Sequence, residues 1–227
     1  MGRYKKHETL QVMRDTRLVG LFHHDDPETA LDILKCCSAG GLRVVEFVNR
    51  GDGATEIFAR LVEAVKKDYP EIVLGAGSVL EGATAGQYIN MGADFIVSPC
   101  MSEDAAKVCN ARKVPYIPGC GTATEIMNAH LLGVDICKLF PGGASGGPAL
   151  IKGVLAPMPF AEIMPTGGVE PTEENCRAWL DAGAVSVGMG SKLIDSQLVS
   201  EKRFDELTDK IRDCVSLINR LKGACRS

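Results

Sequence analysis

Short apolar runs alternate with longer amphipathic stretches along the whole chain of 227 residues. Eight runs have the length and the β-branched content of buried strands. They lie at 17–22, 43–48, 72–75, 95–98, 115–118, 136–140, 162–165 and 184–188. The stretches between them have helical periodicity over about ten to fifteen residues, a spacing typical of βαβ units and a parallel sheet. Eight units in this length favour a (β/α)8 TIM barrel, and an open doubly wound sheet is the alternative.

Signals at the ends of the predicted helices agree with this pattern. Asp26 followed by Pro27 is an N-cap with proline at the first helical position, and Thr122 with Glu125 has the spacing of a capping box. Apolar residues between 204 and 221 fall on one helical face and predict a C-terminal helix. The chain has no linker or low-complexity segment. We therefore expect residues 1–227 to form a single barrel domain with an additional N-terminal segment and a C-terminal helix.

Composition and charge exclude several classes of function. The chain is 45% hydrophobic and 24% charged, with a net charge of −4, so nothing in its overall charge attracts nucleic acid or an anionic membrane. No apolar run approaches the roughly 18 residues of a membrane helix, and the polar N-terminus is unlike a signal peptide. The nine cysteines are scattered and form no CxxC pair. Reduced thiols in a cytoplasmic protein are the expectation.

The segment His23-His24-Asp25-Asp26 has the composition of a metal cluster. Adjacent histidines on an extended segment point to opposite sides, however, and no third and fourth ligands occur at a suitable spacing. We therefore expect no metal site here. One of the two histidines is expected to line the mouth of the barrel after the first strand.

Lys138 lies in the middle of the apolar run at 136–140. Lysine is almost never fully buried unless it is paired or has a function. Burial lowers the pKa of an ammonium group because the charged form loses solvation, and a neutral amine can attack a carbonyl group to form a Schiff base. A strand-end lysine that reaches water or pairs with a carboxylate would explain the same residue without catalysis.

Glu46 provides a carboxylate within the apolar run at 43–48. Because side chains alternate along a strand, Glu46 shares a face with Val44 and Val48. If that face is the barrel interior, Glu46 points towards the axis, as Lys138 could from its own strand. Paired groups of opposite charge tune each other's pKa, so the two could act together in catalysis. A structural ion pair of Glu46 with Lys138 or Arg50 is the alternative.

Glycine-rich loops follow the last two predicted strands, at 165–168 and 188–191. In TIM barrels these two loops commonly bind phosphate, because backbone N–H groups and a helix N-terminus suit an anion. Ordinary tight turns would also contain glycine. The pattern nevertheless favours a phosphate site.

Together these segments resemble the 2-keto-3-deoxy-6-phosphogluconate / 4-hydroxy-2-oxoglutarate (KDPG/KHG) aldolase family over roughly residues 17–195. The family's motifs occur in the family's order as Glu46-x-x-x-Arg50, Gly75-Ala76-Gly77-Ser78-Val79-Leu80, Ser98-Pro99-Cys100, Ile117-Pro118-Gly119, Lys138-Leu139-Phe140-Pro141, Pro165-Thr166-Gly167-Gly168 and Gly190-Ser191. Each motif alone is a weak signal. Their combination and order make the resemblance specific.

The resemblance implies a class I aldolase that cleaves a 2-keto-3-deoxy sugar-acid phosphate, or 4-hydroxy-2-oxoglutarate, to pyruvate and an aldehyde, with no cofactor. It implies that Lys138 forms the Schiff base and that Glu46 moves protons. The substrate-binding residues it implies are Arg50, Ser78, Pro99, Phe140 and Thr166, and the phosphate-binding residues are Gly167, Gly168, Gly190 and Ser191. It also implies a homotrimer.

The chain departs from the family pattern around the mouth of the predicted barrel. Ser78 replaces threonine, Cys100 replaces glycine, and His23 and His24 follow the first strand. These departures concern the aldehyde half of the substrate more than the imine chemistry. Two other functions remain open. One is a phosphate-binding barrel epimerase or decarboxylase in which Lys138 never bonds to substrate. The other is a non-catalytic protein that binds a keto-acid phosphate.

Overall fold

Strands and helices alternate through residues 2–224, the part of the chain that the computed structural model describes. The strands of this part are β1 (Leu18–Phe22), β2 (Val44–Val48), β3 (Val73–Gly77), β4 (Phe95–Val97), β5 (Tyr116–Ile117), β6 (Gly119–Cys120), β7 (Ile136–Leu139), β8 (Glu162–Pro165) and β9 (Val187–Met189). Its helices are α1 (Lys6–Thr16), α2 (Pro27–Ala39), α3 (Ala54–Lys67), α4 (Gly82–Met91), α5 (Glu103–Arg112), α6 (Ala123–Leu131), α7 (Gly147–Leu155), α8 (Glu173–Asp181), α9 (Ser196–Ser200) and α10 (Phe204–Ala224). The α/β class expected from the sequence is confirmed.

The strands pair in parallel and form two sheets that together make a curled surface. The first sheet has the order β5-β4-β3-β2-β1-β9, and the second has the order β6-β7-β8. A parallel bridge between Thr166 and Gly188 links the end of β8 to β9. At the other edge, the Gly119 N–H donates to the Ser98 carbonyl at 2.9 Å. Backbone contacts therefore join the two sheets on both sides.

Three predicted strands differ from the observed ones in an informative way. The run at 115–118 is interrupted, because Pro118 separates β5 from β6 and has no N–H to donate to a neighbouring strand. The run at 72–75 corresponds to β3 at Val73–Gly77, so Ala76 and Gly77 continue the strand beyond its predicted end. The run at 184–188 becomes β9, which begins only at Val187.

The strands bury side chains on both faces, and α1 closes one end of the inner face. Alternate strand residues such as Val44 and Ile136 form an interior apolar cluster together with Leu10 and Met13 of α1. The opposite face of the strands packs under the other helices in a second, larger cluster. Because α1 covers the interior at the amino ends of the strands, the carboxyl ends are left for a site.

Ion pairs hold α1 in this position. The Arg14 guanidinium donates to both carboxylate oxygens of Glu162, at the first residue of β8, with distances of 2.8 to 3.1 Å. Lys6 Nζ lies 2.8 Å from Asp135 Oδ2, just before β7. The sequence indicated only an additional N-terminal segment, and the structure shows that this segment is a helix that packs against the interior.

The described cysteines are free thiols, as expected, and all of them except Cys100 are buried. Burial raises the pKa of the Cys176 thiol to about 11 and that of Cys109 to about 12. Cys225 lies outside the described residues. Within residues 2–224, no helix combines the length and the hydropathy that crossing a membrane requires.

Candidate active site

Lys138 and Glu46 meet inside the curled sheet although they belong to different sheets. The Lys138 Nζ atom lies 3.6 Å from Glu46 Oε1, and the two side chains are only 7% and 1% exposed. Strand alternation explains why the two side chains meet. Glu46 lies two residues after Val44, and Lys138 lies two residues after Ile136, and both of these apolar residues face the interior. Of the partners considered for Glu46, the structure selects Lys138.

Space for the Glu46 carboxylate comes from a glycine on the neighbouring strand. A Cβ atom at Gly77 would lie 1.9 Å from Glu46 Oε1, which is far inside van der Waals contact. Gly77 pairs with Val48, two residues after Glu46 on the neighbouring strand. Because Gly77 has no side chain, β3 leaves room for the Glu46 carboxylate at this point. The glycine at position 77 therefore makes room for the Glu46 side chain.

Two buried oxygens in this region have no protein partner. Glu46 Oε2 and Thr166 Oγ1 are both buried and accept or donate no hydrogen bond within the described residues. Leaving such an atom unsatisfied costs about 1–3 kcal/mol, and such exceptions in folded proteins typically have a functional reason. A second glycine makes room here as well, because a Cβ at Gly188 would lie 2.3 Å from Thr166 Oγ1. Both oxygens are therefore available to a ligand.

A cavity of about 680 Å³ opens at the carboxyl ends of the strands. Its walls include seven of the residues that the sequence assigned to the site, namely Arg50, Phe140, Thr166, Gly167, Gly168, Gly190 and Ser191. The Lys138 amine lies beside this cavity, since its Nζ atom is 5.3 Å from the centroid of the Phe140 ring. That distance is within the range of a cation–π contact.

Among the described residues, the cavity wall contains two basic side chains, those of Arg50 and Lys192, and no aspartate or glutamate. Arg50 is exposed and forms no ion pair within residues 2–224. Lys192, which the sequence analysis did not single out, also lines the cavity, and its Nζ atom lies 3.2 Å from Glu170 Oε1 at the rim. A wall of this kind favours an anionic ligand, in a protein whose net charge is −4.

Ser78 and Pro99 are outside this cavity wall. Ser78 directly follows β3, is half-buried and has a φ of 57°, a left-handed conformation that is uncommon for residues other than glycine. The Pro99 carbonyl packs against Gly119, where a Cβ would lie 1.9 Å from the oxygen. Both residues therefore have well-defined structural surroundings, and their expected contacts with substrate stay predictions.

The side chains of His23 and His24 both line the cavity, whereas the sequence led us to expect only one of them there. Among the described residues, no group of three or more histidine, cysteine, aspartate or glutamate side chains is placed to hold a metal ion.

The fold and this site together define an α/β protein in which a buried amine and carboxylate adjoin a basic cavity at the carboxyl ends of parallel strands. The family model for KDPG and KHG aldolase matches residues 10–210. The chain belongs to this family, which confirms the resemblance seen in its motifs.

Related proteins cover nearly the whole chain. The KHG/KDPG aldolase of Escherichia coli is 31% identical over 188 residues, which make up 83% of this chain and 85% of the relative. The 2-dehydro-3-deoxy-phosphogluconate aldolase of Haemophilus influenzae is 26% identical over 95% of this chain and 99% of its own length. The crystal structure of the Zymomonas mobilis 2-keto-3-deoxy-6-phosphogluconate aldolase with 3-phosphoglycerate has a TM-score of 0.79 and 27% identity, and the match covers 93% of this chain and 97% of that one.

Proposed function

We propose that this protein is a class I aldolase that cleaves a 2-keto-3-deoxy sugar-acid phosphate to pyruvate and an aldehyde. The observation that carries the proposal is the buried contact of 3.6 Å between Lys138 Nζ and Glu46 Oε1. An amine and a carboxylate at this distance are the nucleophile and the proton carrier that Schiff-base chemistry requires. The E. coli and H. influenzae relatives are named as a KHG/KDPG aldolase and a 2-dehydro-3-deoxy-phosphogluconate aldolase.

The first half of the reaction forms the imine. Transfer of a proton from Lys138 to Glu46 leaves a neutral amine, which attacks the C2 ketone of the substrate. The resulting carbinolamine loses its hydroxyl as water, with Glu46 returning the proton, and the C2–N bond becomes a protonated imine. This imine is an electron sink, so the next step needs no metal ion. The unpartnered Oε2 atom of Glu46 is free to accept a proton from substrate.

The second half breaks the C3–C4 bond. Glu46 removes the proton of the C4 hydroxyl, the C4 oxygen forms the aldehyde carbonyl, and the electrons of the C3–C4 bond pass into the imine to give an enamine. Glu46 then returns the proton to C3. Water attacks the regenerated imine and releases pyruvate, which restores the Lys138 amine. One carboxylate can serve these successive steps because each proton that it accepts is donated in a later one.

The size of the cavity suits such a substrate. Its volume of about 680 Å³ lies within the range of about 300–1,000 Å³ that is usual for small-molecule sites. Arg50 and Ser78 would bind the carboxylate, with Pro99, Phe140 and Thr166 around the pyruvyl group. The distal phosphate would bind to backbone N–H groups of Gly167, Gly168, Gly190 and Ser191. Lys192 lies in the same wall and adds a positive charge beside the glycine loops.

The proposal extends to the architecture of the protein. We propose one domain in which the two sheets complete a (β/α)8 barrel, with β5 and β6 as its interrupted fifth strand. The contacts of Gly119 with Ser98 and of Thr166 with Gly188 support closure. A homotrimer, which the family resemblance implies, is supported by exposed apolar side chains on and near α6, where Leu131 is 72% and Phe160 60% exposed. Sedimentation equilibrium tests the trimer.

A substrate panel tests the activity. Purified protein would be incubated with 2-keto-3-deoxy-6-phosphogluconate, its galactonate epimer and 4-hydroxy-2-oxoglutarate, and pyruvate release would be followed. The expected result is release from at least one compound by the native protein and none by Lys138→Ala. An epimerase or decarboxylase would instead act on its own sugar phosphates and release no pyruvate. A non-catalytic binder would show a ligand-induced rise in melting temperature without turnover.

A further inference from the structure

His23 is a cavity residue to which the proposed reaction assigns no role. It directly follows β1, its side chain is 24% exposed, and it lines the cavity beside Leu21. Its ring lies against Phe47, with a centroid separation of 6.2 Å. The side chain is thus partly buried and held against the scaffold, as a residue that contacts a ligand should be.

Two hydrogen-bonding contacts fix the orientation of this ring. His23 Nδ1 lies 3.3 Å from the Val48 carbonyl oxygen at the end of β2. A carbonyl can only accept, so Nδ1 carries the hydrogen and donates. On the other side of the ring, Nε2 lies 3.1 Å from Asp25 Oδ1, another acceptor. Nε2 is therefore the ring atom that faces an exposed partner, and a hydroxyl group can bond to it because a hydroxyl both donates and accepts.

The Asp25 partner is replaceable, whereas the Val48 partner is not. The Asp25 side chain is 87% exposed, so it can turn into solvent at little cost. The Val48 carbonyl belongs to a buried strand and is fixed. An oxygen of a ligand in the cavity can therefore take the place of Asp25 at Nε2 without any change in the ring.

The register of the strands sets the height of His23 above the reacting groups. Leu21 is the register partner of Glu46, and His23 is two residues further along the chain, just beyond the end of β1. Two residues of a parallel strand span about 6–7 Å. His23 therefore lies one layer above the Glu46 carboxylate, towards the cavity mouth. In the proposed reaction, the carbons beyond C3 of a substrate bonded to Lys138 would reach towards this layer.

His24 also lines the cavity, but its ring is committed to the turn that precedes α2. Its Nδ1 accepts a hydrogen bond of 3.0 Å from the Asp26 backbone N–H. Asp26 in turn caps α2 by accepting from the Thr29 N–H at 2.8 Å. This arrangement gives His24 a local structural purpose that His23 lacks.

We infer that His23 is a specificity-determining residue whose Nε2 atom forms a hydrogen bond with a hydroxyl group on the aldehyde half of the substrate. The inference rests on the proposed function and names the part of the substrate that the departure from the family pattern at this position affects. Two activities of the site should therefore depend differently on His23. Recognition of pyruvate alone does not involve His23, whereas cleavage of a longer substrate does.

The test compares His23→Phe and His23→Gln with the native protein and with His7→Gln, a control on the exposed surface of α1. Exchange of the C3 hydrogens of pyruvate in heavy water, followed by NMR, reports imine and enamine formation alone. In both His23 variants this exchange should stay within about twofold of native. The ratio kcat/KM for cleavage of the gluconate and galactonate epimers should fall on the order of tenfold, the usual effect of losing one hydrogen bond, and the preference between epimers should change.

Equal losses in exchange and cleavage, or unchanged cleavage, would overturn the inference. A native protein that neither exchanges nor cleaves would instead refute the proposed function itself. If both variants misfold, NMR of the native protein labelled with ¹⁵N-histidine tests the inference instead. Addition of D-glyceraldehyde 3-phosphate should shift the His23 Nε2 resonance, and an unshifted resonance at saturating aldehyde would contradict the contact.

Discussion

The amine of Lys138 lies 3.6 Å from the carboxylate of Glu46, and both groups are withdrawn from solvent in the interior of the curled sheet. Bringing two ionisable groups out of water costs free energy that their mutual attraction offsets only partly. Apolar residues in the same two positions would fill the space without the free-energy cost of desolvating two ionisable groups. The pair is therefore better explained by chemistry than by stability.

Substitutions of Lys138 and Glu46 should have non-additive effects on the free energy of unfolding. Lys138→Met should lower the free energy of unfolding by about 3–5 kcal/mol, because the Glu46 carboxylate then stays buried without its partner. The double variant Lys138→Met/Glu46→Met should regain most of this loss, since it removes both charges. Urea unfolding of the native protein, both single variants and the double variant measures the cycle. A double variant that is less stable than Lys138→Met would contradict the buried pair.

Replacing Glu46 alone should separate imine formation from turnover. Glu46→Gln keeps the size of the side chain but cannot carry protons. We expect kcat for pyruvate release to fall about 10²- to 10⁴-fold, the usual contribution of general acid–base catalysis. Slow reductive trapping of pyruvate on Lys138 should persist. Near-native turnover in Glu46→Gln would assign the proton transfers to another group.

A methyl group at position 77 should displace the Glu46 carboxylate. The Cβ of Gly77→Ala would lie 1.9 Å from Glu46 Oε1, so the carboxylate must move away from Lys138 or the strand must shift. Turnover should fall towards that of Glu46→Gln. Gly153→Ala is the matched control, because a Cβ there meets no atom within 4 Å. Equal activities of the two variants would show that Glu46 does not need its observed position.

The ion pair that holds α9 should make a pH-dependent contribution to stability. Lys210 Nζ lies 2.8 Å from Asp195 Oδ2, and its hydrogen bond is the main reason why the pKa of Asp195 is lowered. A carboxyl group whose pKa is lower in the folded than in the unfolded state stabilises the fold above its unfolded pKa. This stability is lost as the pH falls through the folded pKa.

Asp195→Asn keeps the helix cap but removes this charge. The variant should be less stable than native by about 0.2–1 kcal/mol at pH 7. The difference should shrink towards zero as the pH is lowered through the folded pKa of Asp195. Lys210→Met should show the same trend in urea unfolding at the two ends of the pH range. A difference that grows in acid would have the wrong sign for this pair.

Much of the fold was predictable because each strand carries its own apolar signal. The runs around Val45, Ile96 and Ile163 became strands within about two residues of their predicted ends. The errors have local causes. Proline at 118 interrupts a run that otherwise is strand-like. β3 continues to Gly77 because the facing Glu46 side chain fills the space that this glycine leaves. A single sequence does not reveal which side chain faces a glycine.

The candidate site was predictable only in part. Lys138 and Glu46 attract attention because a charged residue within an apolar strand is costly. Lys192 carries no such signal, since a lysine after a strand is ordinary. Its position in the cavity wall is what indicates a role in ligand binding. The packing of α1 under the strands was equally hidden, because its apolar positions are few and its partners are distant in sequence.

The central claim is that Lys138 forms a covalent imine with a keto acid. The most direct measurement is mass spectrometry of the protein after reaction with pyruvate and sodium borohydride, followed by peptide mapping. We predict one stable adduct with the mass of a reduced pyruvyl group, on the peptide that contains Lys138, and none with borohydride alone. An active protein that gives no adduct, or carries it on a different lysine, would contradict the account.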